Sequence, residues 1–301
     1  MDFTNDTDIF EENTHTLLID GDLLIYQKCC VHNEDDDIDR RLITNYLRTK
    51  ISEACSASNC GRYRVFLTAK ENFRHWISDR YKINRVGVEK PVNLAYAKQW
   101  CVDHMNGEYE LFLEADDLMA IHQTEDTVIY SGDKDLRQVP GAHLNAKTFL
   151  MENVSELGAV WTEEAAGAKP DKILFNGFKG FMFQCLTGDS TDSILGCGIR
   201  TRQQFKCGKR IGESYVKRKG IGPKEAKALL KNCPQTKQGF FHVVKREYQK
   251  LYSDCNAMKM FEKEANLLYM VNEYNPITKL AKRWTYDDRI EYLNIRTGEV
   301  I

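Results

Sequence analysis

Three expected strands and one apolar helix in this chain end in carboxylates, and that repetition constrains the fold more than any other feature. "THTLLIDGDLLIY" reads as a buried strand over Thr16 to Ile19 that stops at Asp20-Gly21-Asp22. Further strands are expected at Arg62 to Ala69, at Tyr109 to Leu113 running into "EADD", and at Thr127 to Gly132 running into "SGDKD". The long apolar segment Lys172 to Cys185 leads to "LTGDSTDSILG". Between the first two strands, Ile38, Leu42, Tyr46, Leu47 and Ile51 recur at helical spacing, which predicts an amphipathic helix over Ile38 to Ala54. Such alternation favours an α/β fold with a mostly parallel sheet covered by helices. In a parallel sheet the acidic strand ends converge on one edge, where open α/β sheets place their sites.

The acids brought together are Asp20, Glu114, Asp116, Asp117, Asp133, Asp135, Asp189 and Asp192. Each pair alone has an ordinary explanation, since Asp and Ser before a helix cap it and turns favour both. Gathered at one edge, they raise one another's pKa and need counter-charge. Oxygen ligands without His or Cys point to Mg²⁺, with Mn²⁺ able to substitute, over Zn²⁺. Two such ions suit phosphodiester hydrolysis, one helping to generate hydroxide and both stabilising charge on the scissile phosphate.

The charge is also polarised. Residues 197 to 250 hold fifteen Lys or Arg against three Glu, in a chain whose net charge is −2. A basic segment beside an acidic body suggests a polyanion grip, although a solvated lysine-rich helical surface gives the same count. Within it, "KGIGPKEAKALL" places Gly220 and Gly222 in a turn, with Pro223 starting a helix. Amides at that helix start, with Lys219, Lys224 and Lys227, form a non-specific phosphate clamp. In "NFRHWISDRYKINR", Arg74, Arg80, Tyr81, Lys82 and Arg85 are expected to project and meet a nucleic-acid end, cations to phosphates and the ring to a base; the alternative is a helix with Trp76 and Tyr81 in the core and its basic side chains solvated.

The remaining sequence bounds the setting. No apolar run approaches the roughly 18 residues of a membrane span, and the first residues are acidic where a signal peptide is basic and then apolar, so a cytoplasmic monomer is expected. Ten scattered cysteines without a C-x-x-C pair read as reduced thiols. Residues 1 to 14 and Glu34 to Asp39 read as solvated acidic segments, and everything after Lys172 to about Tyr269 reads as helical.

"LLIDGD", "RYKINR", "LEADDLMA", "SGDKDL", "LTGDSTDSILG" and "GIGPKEAKALL" stand in the order found in the 5′-nuclease family of flap endonucleases and the exonuclease domain of bacterial DNA polymerase I. The chain most resembles the 5′-to-3′ exonucleases of T-odd bacteriophages. That resemblance implies a PIN-like sheet with a helix-three-turn-helix DNA-binding region, divided into an acidic tail over 1–15, a catalytic region over 16–160 and a helical region over 161–301. It implies that Asp20, Glu114, Asp116 and Asp117 hold the catalytic metal and that Asp133, Asp135, Asp189 and Asp192 complete a two-metal site. Asp20, Lys82 and Arg85 would be catalytic, with Tyr81, Lys82 and Arg85 positioning a 5′ end beneath a helical arch. Gly220 and Gly222 would lie in the duplex-gripping turn, which in relatives can hold K⁺. The implied substrates are duplex DNA with 5′ ends or flaps and RNA primers in hybrids, in phage replication with its replication proteins. Two departures stand out. Ala69 replaces an acidic residue common in the family, and a basic insertion over Cys197 to Lys219 separates the last acids from the glycine turn.

Two other readings fit parts of the sequence. A haloacid-dehalogenase-like phosphatase would use Asp20 as nucleophile and Asp22 as general acid, but has no need of the basic segment. A nuclease-like scaffold inactivated at Ala69 would bind duplex without cutting it.

Overall fold

A computed structural model describes residues 14–29, 36–164, 171–204, 214–287 and 289–301. The chain forms β1 (Thr16–Asp20), α1 (Gly21–Cys29), α2 (Asp36–Ser58), β2 (Arg62–Phe66), α3 (Arg74–Ile77), α4 (Leu94–His104), β3 (Gly107–Glu108), α5 (Ala115–His122) and β4 (Thr127–Ser131). There follow β5 (Gly141–Asn145), β6 (Met151–Val154), β7 (Ala159–Glu163), β8 (Lys172–Asn176) and α6 (Gly177–Thr187). The last part comprises β9 (Gly198–Gln204), β10 (Ser214–Gly220), α7 (Pro223–Lys231), α8 (Lys237–Leu251), α9 (Asp254–Leu268), β11 (Tyr274–Asn275), β12 (Leu280–Lys282) and β13 (Tyr292–Asn294).

The main sheet runs β3-β2-β1-β4-β5-β6, parallel except for the β5–β6 pair. Because successive strand residues point to opposite faces, Leu17 and Ile19 pack with α1, α2 and α4, while Leu18 packs with α5. The alternation of short buried runs and amphipathic helices therefore gives the mostly parallel, doubly covered sheet that the sequence implies. A separate core joins α6, α7, α8 and α9 around Phe181, Phe240, Tyr248 and Phe261. Chain order reverses between β1 and β4, and a parallel sheet opens a crevice beyond its strand ends at such a point.

Several boundaries differ from expectation. The third strand is only Gly107–Glu108; Tyr109 to Leu113 is irregular because Phe112 sits at φ 72°, which an extended strand does not admit. The second strand ends at Phe66, short of Ala69. The acidic run at Glu34 enters α2 from Asp36, and the part before it lies outside the described residues, as does the tail over 1–13. The basic segment is not wholly helical. Its first part is the antiparallel β9–β10 ribbon, so Gly220–Pro223 joins a strand to α7, where the family resemblance implies helices on both sides.

Candidate active site

The carboxylates meet because of how each element ends. Asp20 closes β1, where its side chain accepts hydrogen bonds from the Leu23 amide (2.9 Å) and the Ser131 hydroxyl (2.8 Å). Ser131 ends the neighbouring β4, so the parallel β1–β4 pairing brings the "SGDKD" turn beside Asp20. That turn is held by the Asp133 carboxylate, which accepts the Asp135 amide at 2.8 Å. "EADD" starts α5 through a reciprocal capping box: Glu114 is the N-cap, and Asp117 accepts the Glu114 amide at 3.2 Å. The cap leaves Asp116 on the cleft wall. Asp189 and Asp192 lie in a tight loop after α6, closed by paired hydrogen bonds between Asp189 and Ile194, rather than in a helical turn. Gly188 begins that loop at φ 69°, where a Cβ would stand 2.4 Å from the Ile194 carbonyl.

Asp20, Glu114, Asp116, Asp133, Asp135, Asp189 and Asp192 line one cleft of 920 Å³. Cations serve its rim. Lys82 bonds Glu114 and lies 3.7 Å from Asp192; Arg85 reaches Asp192 at 2.7 Å; Lys134 bridges Asp189 (2.5 Å) and Asp135 (3.1 Å). Burial alone would raise Glu114, but Lys82 and Arg74 bring its carboxyl down to about 2. Burial likewise opposes Asp189, and its hydrogen bond from Lys134 outweighs it and lowers the pKa. For Asp192 burial wins, and its pKa is raised despite Lys82.

The centre behaves differently. Burial, with the charges of Asp22 and Asp133, lifts Asp20 to about 7 against the hydrogen bonds of Leu23 and Ser131. Burial and then Asp133, Asp20 and Glu114 raise Asp116 well above the carboxylate range. Asp135 rises to about 7 through burial and Asp133, opposed by Lys134. Among the described residues no three His, Cys, Asp or Glu side chains enclose an ion as they stand. The donor set nonetheless fits a hard divalent cation: oxygen ligands only, crowded until their charges conflict, with room in the cleft.

Three residues assigned to surface or metal roles are committed to contacts inside the protein. Arg74 does not project. It is 1% exposed, and its guanidinium donates to both Asp117 oxygens and to the Leu267 and Tyr269 carbonyls. Asp117 is fully buried in that pair, so its charge is already met within the protein. Tyr81 is 3% exposed; its ring lies inside, while its hydroxyl donates to Glu114 at 2.7 Å, leaving no face for a base. Lys82 and Arg85 do line the cleft. Between them and α4 the chain forms one 3-10 turn, Ile83–Arg85, and a loop, where the resemblance implies a helical arch.

Lys219, Gly220, Gly222, Lys224 and Lys227 stand outside the acidic cleft, at the ribbon and the start of α7, where Gly222, Lys224 and Lys227 line a neighbouring groove that reaches Asp189. Gly222 caps α7 and leaves open space where a Cβ would sit, whereas a Cβ on Gly220 would meet the Cys197 carbonyl at 2.4 Å. Sequence reasoning missed Lys134 and Lys98. Lys134 was legible between the two acids of "SGDKD"; Lys98 pairs with Asp22 at 2.7 Å and bonds the Thr68 carbonyl from α4, with no local signal.

No protein-family model and no curated protein matches this chain. Solved structures do. A bacteriophage T5 flap endonuclease in a complex with DNA and metal ions aligns with a TM-score of 0.56 at 14% identity, over 84% of this chain and 88% of that one. The chain has the T5 5′-exonuclease fold. A T5 5′-exonuclease with bound zinc aligns equally well, TM-score 0.56 at 14% identity, over 85% of this chain and 89% of that one. The likeness is one of fold, the fold that the ordered motifs imply.

Proposed function

We propose that the protein hydrolyses phosphodiester bonds of duplex DNA as a metal-dependent 5′-to-3′ exonuclease acting at ends or flaps. The observation that carries this reading is the convergence of Asp20, Asp116 and Asp133 at the sheet's switch point, where burial and the neighbouring Asp133 charge raise the pKa of Asp20 and Asp116, a conflict that a divalent cation would relieve. Mg²⁺ or Mn²⁺ bound there would supply an activated water and stabilise charge on the scissile phosphate. Asp20, Asp116, Asp133 and Asp135 are the residues to hold it, with Glu114, Asp189 and Asp192 tied to the lysines and arginine of the rim.

The chain's own groups account for positioning. Ser131 and the Leu23 amide hold Asp20 in one orientation. Lys82 and Arg85 present positive charge at the cleft wall and suit a terminal or scissile phosphate. The α7 start, with Lys219, Lys224 and Lys227, grips duplex backbone without reading sequence, and the turn of Gly220 and Gly222 is the place for K⁺. RNA primers in hybrids and a role in phage replication belong to the same reading. The 5′ polarity draws its support from the motif order and the shared fold. A phosphatase using Asp22 as general acid is disfavoured, because that carboxylate is engaged by the Thr68 amide at 2.9 Å and by Lys98.

The test follows a duplex labelled separately at its 5′ and 3′ ends, in Mg²⁺ and in EDTA. Early release of short 5′-labelled products in Mg²⁺ alone is expected. Duplex binding without cleavage in any divalent metal would refute the reading in favour of an inactive scaffold, with Ala69 on the cleft wall as its cause.

A further inference from the structure

Several partly buried cations are paired, as Arg64 is with Glu108, Lys279 with Glu110 and Arg283 with Glu291. The exposed cations of the β9–β10 ribbon are not. Arg202, Lys217 and Lys219 are exposed and make no ion pair among the described residues, and Arg200 meets only the Ser193 carbonyl at 3.2 Å. Antiparallel register places Arg202 opposite Val216 and Arg200 opposite Arg218 on one face. Lys217, opposite Thr201, and Lys219, opposite Ile199, stand on the other. Unpaired positive charge therefore leaves the ribbon on both sides.

The base of the ribbon is fixed to the active-site loop. Arg218 donates to the carbonyls of Leu195 (2.7 Å), Leu186 (2.9 Å) and Ile221 (3.0 Å), so a half-buried guanidinium ties β10 to the loop that carries Asp189 and Asp192. Tyr252 adds a hydrogen bond to the Gly198 carbonyl at 3.0 Å. The inner face walls a groove of 1370 Å³ that contains Arg200, Val216, Lys224 and Lys227 and reaches Asp189 and Thr191, which also line the acidic cleft.

We propose that the β9–β10 ribbon lies in the major groove of duplex DNA, with the strand to be cut along its inner face and the complementary strand across Lys217 and Lys219. A major groove about 12 Å wide admits a two-stranded ribbon. An element lodged there has a phosphate backbone on each side and needs cations on both faces; a single strand would engage one. The proposal rests on duplex DNA being the substrate.

The experiment measures duplex binding in EDTA by fluorescence anisotropy across a salt series, for the wild type, Arg202→Gln, Lys217→Gln and the double variant. Each neutralised cation should lower the slope of log affinity against log salt by about 0.9. On a duplex whose uncut strand carries methylphosphonates, the Lys217→Gln loss should vanish while the Arg202→Gln loss persists. Arg202→Lys with Lys217→Arg should retain the wild-type slope, which separates charge from folding. An unchanged slope in the double variant overturns the assignment, as does an equal loss on a single-stranded oligonucleotide of the same length. Wild-type cleavage in Mg²⁺ is scored separately, so an inactive protein with the expected slopes would sink the nuclease reading and leave the ribbon's role standing.

Discussion

The Arg74 guanidinium forms two parallel hydrogen bonds to the Asp117 carboxylate, at 2.7 and 2.8 Å, with both side chains inside the protein. Removing one partner strands the other's charge, which typically costs about 3–5 kcal/mol. Arg74→Met should therefore lower unfolding stability by about that amount in urea titration, and Asp117→Asn should do nearly the same. A loss below about 1 kcal/mol for both would show that the pair is not held as described.

The raised pKa values fix a pH dependence. A carboxyl whose folded pKa exceeds its unfolded value favours the folded state when protonated, so its stabilisation is lost as pH climbs. Asp20 and Asp135, at about 7 against 3.8, should make the metal-free protein lose stability between about pH 4 and 7. The rise in Tm on adding Mg²⁺ should consequently be larger at pH 8 than at pH 5.5. Equal increments at the two pH values would contradict cation relief of these acids.

Asp116→Asn removes a crowded charge without changing shape. Turnover of a 5′-labelled duplex should fall by about 10²–10³, equivalent to roughly 3–4 kcal/mol of transition-state stabilisation. Duplex affinity in EDTA should hold or improve, because negative charge leaves the cleft. Turnover within threefold of wild type would exclude Asp116 from the metal set.

Gly188→Ala tests the loop that presents Asp189 and Asp192. With φ at 69° and the Ile194 carbonyl 2.4 Å from the added Cβ, the substitution should destabilise by roughly 1–3 kcal/mol. Turnover should drop more than duplex affinity, since the loop bears on the acids. A thermal melt, a binding isotherm and a cleavage assay in Mg²⁺ on the same sample decide it.

The parts of this molecule written in local pattern were legible. Thr16 to Ile19, the amphipathic helix from Ile38 and the "EADD" helix start each declare themselves within about a dozen residues, and together they imply a sheet edge lined with acids. What was hidden depended on distance or on a single backbone angle. Arg74 reads as a surface cation because its partner Asp117 lies 43 residues on and its carbonyl acceptors nearly two hundred. Tyr109 to Leu113 has the composition of a strand, but Phe112 breaks it. In "GIRTRQQ" a period-two alternation was present, overshadowed by its charge, which resembles that of the lysine-rich helices that follow.

Arg74 also has a consequence for how the molecule is made. Its guanidinium is completed by the carbonyls of Leu267 and Tyr269, and the Asp117 carboxylate also accepts the Val271 amide. Gln138 reaches the same stretch, bonding the Leu268 carbonyl and the Met270 amide. A chain leaving the ribosome from its N-terminus has its sheet long before it has residues 267–271. Until they emerge, Glu114 stands beside a half-satisfied arginine, and the acidic edge takes its final form only once they have.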